Sequence, residues 1–264
     1  MPYTLSHPLA VIPFRRYCPA YFNFPALVIG SMAPDFGYFV DQFYVAKFAH
    51  TLPGAVAVCL PASLVLLGAF YLFRRPLCYI LPQPHRAALA PLAFTNCKFA
   101  FRAFVVACIS ILIGTLTHIV WDSFTHDYGW PVQHFEILRT PLFQIRGNVV
   151  TTYFALQILS TFVGGTGLIA LYIRWLRRQP TNAIGNTTAD AADSDRWRYG
   201  LLVAVAIAAL AISMTIACHH ASTFKKDQIV DAVYWSAVYS ISVFFPVLVL
   251  SAVVAYAVRK SLPD

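Results

Sequence analysis

Residues 103–121 read AFVVACISILIGTLTHIVW, a run without Asp, Glu, Lys or Arg that Asp122 closes. A helix needs about 20 apolar residues to cross the hydrocarbon core of a bilayer. The run is therefore read as a transmembrane helix, and its last turn carries an imidazole, His118. Working outward, four further runs have the same character: Gly54–Phe73, Val149–Ile173, Gly200–Cys218 and Ala232–Val258. None contains an acidic or basic side chain. Pro61 and Pro246 should bend their helices, a defect that neighbouring helices can accommodate. Gly164, Gly165 and Gly167 offer a face for close helix approach. A sixth apolar stretch, Ala20–Val40, is interrupted by Pro25, Gly30, Pro34, Asp35 and Gly37. It fits a short interfacial helix followed by a turn, or an irregular sixth span.

Composition agrees. Of 264 residues, 59% are hydrophobic and 11% charged, with a mean hydropathy of +0.64. A soluble globular domain is about 45–50% apolar and about 25% charged. This excludes a water-soluble core, disorder and a coiled coil. The expected fold is an all-α polytopic membrane helix bundle of about five transmembrane helices, a single membrane domain over residues 1–264. Residues 1–50 form an N-terminal interfacial helical region. Residues 179–198 form a flexible linker between the third and fourth spans, since their first part reads QPTNAIGNTTADAADSD.

The net charge is +8. The positive residues border apolar runs and form no patch interleaved with aromatics, so they read as headgroup anchors and not as a nucleic-acid surface. Arg74, Arg75, Arg86, Lys98 and Arg102 lie between the first two spans; Arg174, Arg177, Arg178, Arg196 and Arg198 lie between the third and fourth; Arg259 and Lys260 follow the fifth. The opposite loops hold only Lys47, Arg139, Arg146, Lys225 and Lys226, plus Arg15 and Arg16 if the first fifty residues are outside. The positive-inside rule then makes the C-terminus cytoplasmic and places His118–Gly147 at the outer face. The six cysteines form no CxxC pair, and Cys59, Cys108 and Cys218 sit inside apolar runs as small hydrophobes. Pro2, Pro8 and Pro13 interrupt the N-terminal stretch, a pattern unlike a secretory signal.

Polar residues gather in three short places: TLSHP (4–8), GSMAPDF (30–36) followed by His50-Thr51, and THIVWDSFTHD (117–127). In the third, His118 and Asp122 project from one helical face one turn apart, and His126 extends the row. This spacing suits two ligands of one divalent cation. The plainer alternative is a hydrogen-bonded pair at a helix end. Depth favours the ligand reading, because an ionisable pair inside an apolar span is costly to bury without a function. Taken singly, Asp35 reads as a helix cap, His50 as a marker of the water boundary and His7 as a surface histidine. Together with His118 and Asp122 they supply two carboxylates and three imidazoles on one side of the membrane, the donor set of a zinc or dinuclear site.

These motifs carry a resemblance. MPYTLSHP (1–8), GSMAPDF, HTLPG (50–54) and HIVWDSFTH (118–126) resemble an uncharacterised bacterial membrane family, one of the domains of unknown function, over nearly the whole chain. The order His, Pro-Asp, His-Thr, HxxxD is more distantly similar to inner-membrane-associated metal-dependent hydrolases and to zinc-dependent phospholipase C-like enzymes, which hydrolyse phosphate esters. That resemblance implies His7, Asp35, His50, His118 and Asp122 as metal ligands, with zinc as the metal. The chain departs from it in lacking a second downstream His with a Glu partner at helical spacing, since His134 and Glu136 are too close together.

The expected function is a membrane-embedded metal-dependent hydrolase of phosphoesters or lipid-linked substrates in the bacterial inner membrane. Asp127 is the candidate general base, and His126, His134 and Glu136 are candidates for outer-shell or substrate contacts. The lipid bilayer is the expected partner. GxSxG, P-loop and dinucleotide fingerprints are missing from the sequence. The alternatives are a non-catalytic metal-binding or assembly protein and, less favoured, a transporter. A transport pathway requires ionisable groups at several depths, whereas these collect at one end.

Overall fold

A computed structural model describes residues 3–17, 21–94, 100–145, 148–179, 195–223 and 228–261. The architecture is all-α. Among the described residues, five helices are long and apolar enough to cross a membrane: Leu52–Tyr79, Phe101–His134, Thr152–Leu176, Arg196–His219 and Val238–Ser261. Within these segments run the regular helices α1 (Leu60–Tyr79), α2 (Phe101–Thr125) and α3 (Thr152–Leu176); α4 (Arg196–Thr223) and α5 (Gln228–Ser261) extend beyond theirs. The chain groups into two compact units, Met1–Gly68 with Lys98–Arg174, and Ala69–Cys97 with Trp175–Asp264. The polar cluster belongs to the first.

The buried residues of α2 are Ala107, Ser110, Ile111, Gly114, Thr115, His118, Asp122 and Thr125. Steps of three and four keep them on one helical face. Against that face lies the short helix Phe24–Gly30, which begins where Asn23 caps it: the Asn23 Oδ1 accepts from the Ala26 amide at 3.0 Å, and Pro25 occupies the first turn. The two helices touch backbone to backbone. A Cβ on Gly30 would run into the Ile111 carbonyl, and one on Gly114 would meet the Leu27 carbonyl and, at 2.8 Å, the Ser31 nitrogen. Thr115 Oγ1 closes the seam by donating to the Gly30 carbonyl at 3.2 Å.

The described part of the stretch Ala20–Val40 forms no single helix of membrane-spanning length. It is broken into the helix Phe24–Gly30, a 3₁₀ turn Ala33–Asp35 and the helix Phe36–Phe39. Chain reversal at Asp41, which takes a left-handed φ of 59°, ends it. The expected disturbance at Pro61 takes the form of a π-helical turn, Ala55–Cys59, in which the Leu60 amide reaches back to the Ala55 carbonyl. Pro61 cannot donate to the carbonyl four residues earlier, and widening the turn relieves the clash of its ring.

The glycine face at 164–167 meets the N-terminal 3₁₀ helix Thr4–Val11: a Cβ on Gly164 would lie 2.5 Å from Ser6 Cβ, and one on Gly167 3.1 Å from Leu9. Ser6 Oγ donates to the Thr161 carbonyl at 2.9 Å, and the Tyr3 amide donates to Thr161 Oγ1 at 3.1 Å. A small antiparallel hairpin, β1 (Pro141–Ile145) and β2 (Asn148–Thr151), precedes α3. It takes residues 149–151 out of the expected third span, and pairing with β1 explains why: Val150 faces Phe143 and Val149 faces Gln144.

In the second unit, Arg198 departs from its expected role as a headgroup anchor. It is fully buried, donates to the Tyr79 carbonyl at 3.1 Å and to Asp195 Oδ1 at 3.2 Å, and lies over the rings of Tyr79 and Trp197. Helix α4 therefore starts inside the region expected as linker, of which residues 180–194 lie outside the described ones.

Candidate metal centre

Four local structures carry the cluster. Asp35 ends the 3₁₀ turn Ala33–Asp35. His50 follows the helix Phe43–Ala49. His118 and Asp122 occupy adjacent turns of α2, and His7 lies on the N-terminal 3₁₀ helix. Asp35 and His118 are 0% exposed, and Asp122 is 2% exposed.

The inward-facing atoms stand at nearly uniform separations. His50 Nε2 lies 3.4 Å from Asp35 Oδ1 and 3.5 Å from Asp122 Oδ2. His118 Nε2 lies 3.6 Å from Asp35 Oδ1 and 3.4 Å from Asp122 Oδ2. His7 Nε2 lies 3.5 Å from the other Asp122 oxygen, Oδ1. All of these atoms are buried, and none has a hydrogen-bond partner. Protein N–H···O bonds lie at about 2.7–3.2 Å. Tetrahedral ligands at about 2.0–2.1 Å from a zinc ion stand roughly 3.3–3.4 Å from one another. The spacing is too long for hydrogen bonds and close to that of atoms sharing one cation. The ligand atoms of Asp35, His50, His118 and Asp122 all lie within 4.8 Å of one another, and this group could hold a metal ion.

The outer sides of the rings are anchored. His118 Nδ1 is 2.8 Å from the Ser31 carbonyl, and His50 Nδ1 is 2.8 Å from the Ala46 carbonyl. In each case Nδ1–H donates to the carbonyl, which turns Nε2 towards the cluster. Asp35 is held in the same way, its Oδ2 accepting from Thr4 Oγ1 at 2.6 Å while Oδ1 faces inward. The His7 ring stacks on that of His118 with centroids 3.7 Å apart.

Electrostatics distinguish the groups. Burial, seconded by the facing His118, lowers His7 to about 3, so its imidazole is neutral. Burial opposes ionisation of Asp35, but His118, His50 and the Thr4 hydroxyl outweigh it and hold the carboxyl below its usual value. Burial also opposes a charge on His50, yet Asp122, Asp35 and the Ala46 carbonyl raise it to about 10. Two buried carboxylates thus face a region that favours positive charge.

All five expected ligands come together, with His7 outside the inner four. His126 lies on the rim: its Nδ1 is 3.0 Å from the Asp122 carbonyl and 3.7 Å from Asp122 Oδ2, and its Nε2 is 3.5 Å from Gln157 Nε2. Asp127, His134 and Glu136 are exposed. Asp127 follows the end of α2 and lies outside the group of four, while His134 binds the Trp130 carbonyl at 2.8 Å and stacks on its ring. Thr4, the Ser31 carbonyl and Gln157 were not singled out in the sequence. Thr4 precedes His7 by three residues and Ser31 adjoins the Asp35 motif, so proximity was their signal; Gln157 is an amide inside an apolar span.

A family model described as a domain of unknown function (DUF4184) matches residues 1–258, and the chain belongs to that family. No curated protein and no solved structure matches the chain.

Proposed function

We propose that the protein is a membrane-embedded metal-dependent hydrolase of phosphoesters or lipid-linked substrates, with a divalent cation, zinc in the first instance, held by Asp35, His50, His118 and Asp122. One observation carries this reading: buried, unpartnered nitrogen and oxygen atoms from three separate segments converge at cation spacing. Leaving such atoms unsatisfied costs roughly 1–3 kcal/mol each, and more when charged. Two carboxylates suit a divalent ion, and imidazole with carboxylate suits zinc.

When bound, the cation supplies Lewis acidity and lowers the pKa of a water or polarises a substrate oxygen. The chain's own groups do the rest. Asp35 and Asp122 bring the negative charge, and the Ser31 and Ala46 carbonyls fix the two rings. His7 is neutral and resists protonation, and its Nε2 faces Asp122 Oδ1 without a hydrogen bond, which suits it to orient a water or a substrate oxygen at the cation site and not to act as a base. Asp127, at an exposed position just beyond the end of α2, keeps the role of candidate general base. By the distribution of Lys and Arg, the centre sits at the outer face of the bacterial inner membrane and the C-terminus is cytoplasmic.

The test is metal analysis of the full chain purified in detergent, together with hydrolysis of a chromogenic phosphodiester that carries a long alkyl chain. About one ion per chain is expected, retained in His7→Ala with loss of turnover and lost in His50→Ala. Loss of the ion from His7→Ala as well would make His7 a ligand, as the sequence reading has it. Metal without turnover would favour a non-catalytic metal-binding protein, and no metal in the wild type would end the proposal.

A further inference from the structure

Next to the cluster lies a cavity of about 170 Å³ whose walls come from the N-terminal 3₁₀ helix, α2 and α3. We infer that this cavity seats the hydrocarbon chain of a membrane lipid, with the lipid's polar head directed past His7 to the cluster. The inference rests on the proposed function for the chemistry at the head, and on separate observations for the chain.

The cavity is apolar in all but one place. Leu9, Ala10, Trp121 and Val163 provide hydrocarbon walls. Ser6 and Ser160 also border it, but both hydroxyls are already used: Ser6 Oγ donates to the Thr161 carbonyl and Ser160 Oγ to the Gln157 carbonyl, each at 2.9 Å. The remaining polar group of the wall, His7, has an unpartnered Nε2 that points to Asp122. A mostly apolar space with one unpartnered polar side-chain atom in its wall matches an amphiphile and not a sugar or a free nucleotide, which would strand hydroxyls against hydrocarbon. Water is equally ill suited, since it needs two to four polar partners; an engineered apolar cavity of about 150 Å³ stays dry and takes up benzene. By that comparison this cavity accepts a chain segment of roughly six carbons.

Access is from the bilayer side. Trp121 and Val163 are 42% and 51% exposed, and both stand on helices of membrane-spanning length and hydropathy. A chain can enter from the surrounding lipid without crossing water. The cavity owes its shape to Gly164, where any side chain would collide with Ser6. The substrate class is then a lipid with an anionic or ester oxygen one chain-end away from the cation, and soluble phosphoesters are poor substrates.

The experiment uses the full chain in phospholipid nanodiscs doped with a phosphatidylglycerol that bears a diazirine on its acyl chain, followed by illumination and peptide mapping. Adducts are expected at Leu9, Ala10 and Val163 above those at Phe162 and Ile169, which are 66% and 61% exposed and serve as bulk-lipid references. Val163→Trp at the rim, and independently Ala10→Phe, should lower the cavity adducts about fivefold while metal content stays at the wild-type level. With metal bound, dodecyl phosphate should compete for the cavity about tenfold better than dodecanol, and chelation should remove that difference. Adducts spread evenly over cavity and reference positions, unaltered by both variants, would overturn the inference even if the protein binds metal. Cavity adducts that persist in a protein without metal, with no preference for the phosphate, would keep the lipid seat and overturn the hydrolase reading instead.

Discussion

His118 Nε2 and Asp122 Oδ2 stand 3.4 Å apart on adjacent turns of one helix, both buried, and neither makes a hydrogen bond. A structural pair would close that gap, because the side chains are flexible enough to reach about 2.8 Å. That they remain apart, each also facing a group from another segment, is the relationship from which the metal reading grows.

Asp122→Asn separates the two accounts. In a structural pair the amide oxygen still accepts a bond, and the change costs about 0.5–1.5 kcal/mol. In a metal site the variant loses most of its ion, since an amide oxygen is a poor zinc ligand. Free metal a hundredfold above Kd stabilises the fold by about 2.7 kcal/mol. Chelator should therefore lower the Tm of the wild type and leave that of Asp122→Asn almost unchanged. A wild-type Tm indifferent to chelator contradicts the metal account.

Thr4 acts through Asp35. Its hydroxyl donates to Oδ2 at 2.6 Å, which leaves Oδ1 for the cluster. Thr4→Val keeps the shape and removes the donor, so metal affinity should fall about 10–100-fold, as for other outer-shell partners. Thr4→Ser should restore it. Equal affinities in all three proteins, measured by competition with a chromophoric chelator, would show that Asp35 needs no such support.

Gly114 couples packing to the site. An alanine there would press on the Leu27 carbonyl and the Ser31 nitrogen, and the Ser31 carbonyl is the anchor of His118. Gly114→Ala should cost about 1–3 kcal/mol by overpacking and weaken metal binding as well. Gly68→Ala, where nothing lies within 4 Å of the added carbon, is the control and should do neither.

The proton on His50 competes with the metal. With its pKa raised from 6.5 to about 10, His50 is protonated at pH 7. Binding should release at least one proton per ion and weaken at least about tenfold for each pH unit below 10. Titration calorimetry in two buffers of different ionisation enthalpy counts the proton. For chelated protein the sign follows from the raised pKa. The stabilisation is complete below 6.5 and is lost as pH rises through about 10, so Tm should decline over that interval.

Topology is open to labelling in a background whose six cysteines are replaced by alanine. Tyr128→Cys, 55% exposed in the wild-type residue, should react with an impermeant maleimide from outside, and Arg178→Cys should not. The reverse pattern would place the cluster on the cytoplasmic side.

The sequence by itself determined the five apolar helices and the pairing of His118 with Asp122, because both follow from local quantities, hydropathy over a window and the 3.6-residue turn. Only the tertiary structure decided which distant groups join that pair. Asp35 and His50 reach it because Gly30 and Gly114 let the helix Phe24–Gly30 lie backbone to backbone on α2, and His7 reaches it because Gly164 admits Ser6. Such contacts depend on shape complementarity between segments far apart in the chain, which no single-sequence periodicity encodes. The same reason hid the burial of Arg198, whose charge reads locally as a membrane flank but finds Asp195 and two aromatic rings once the chain has folded.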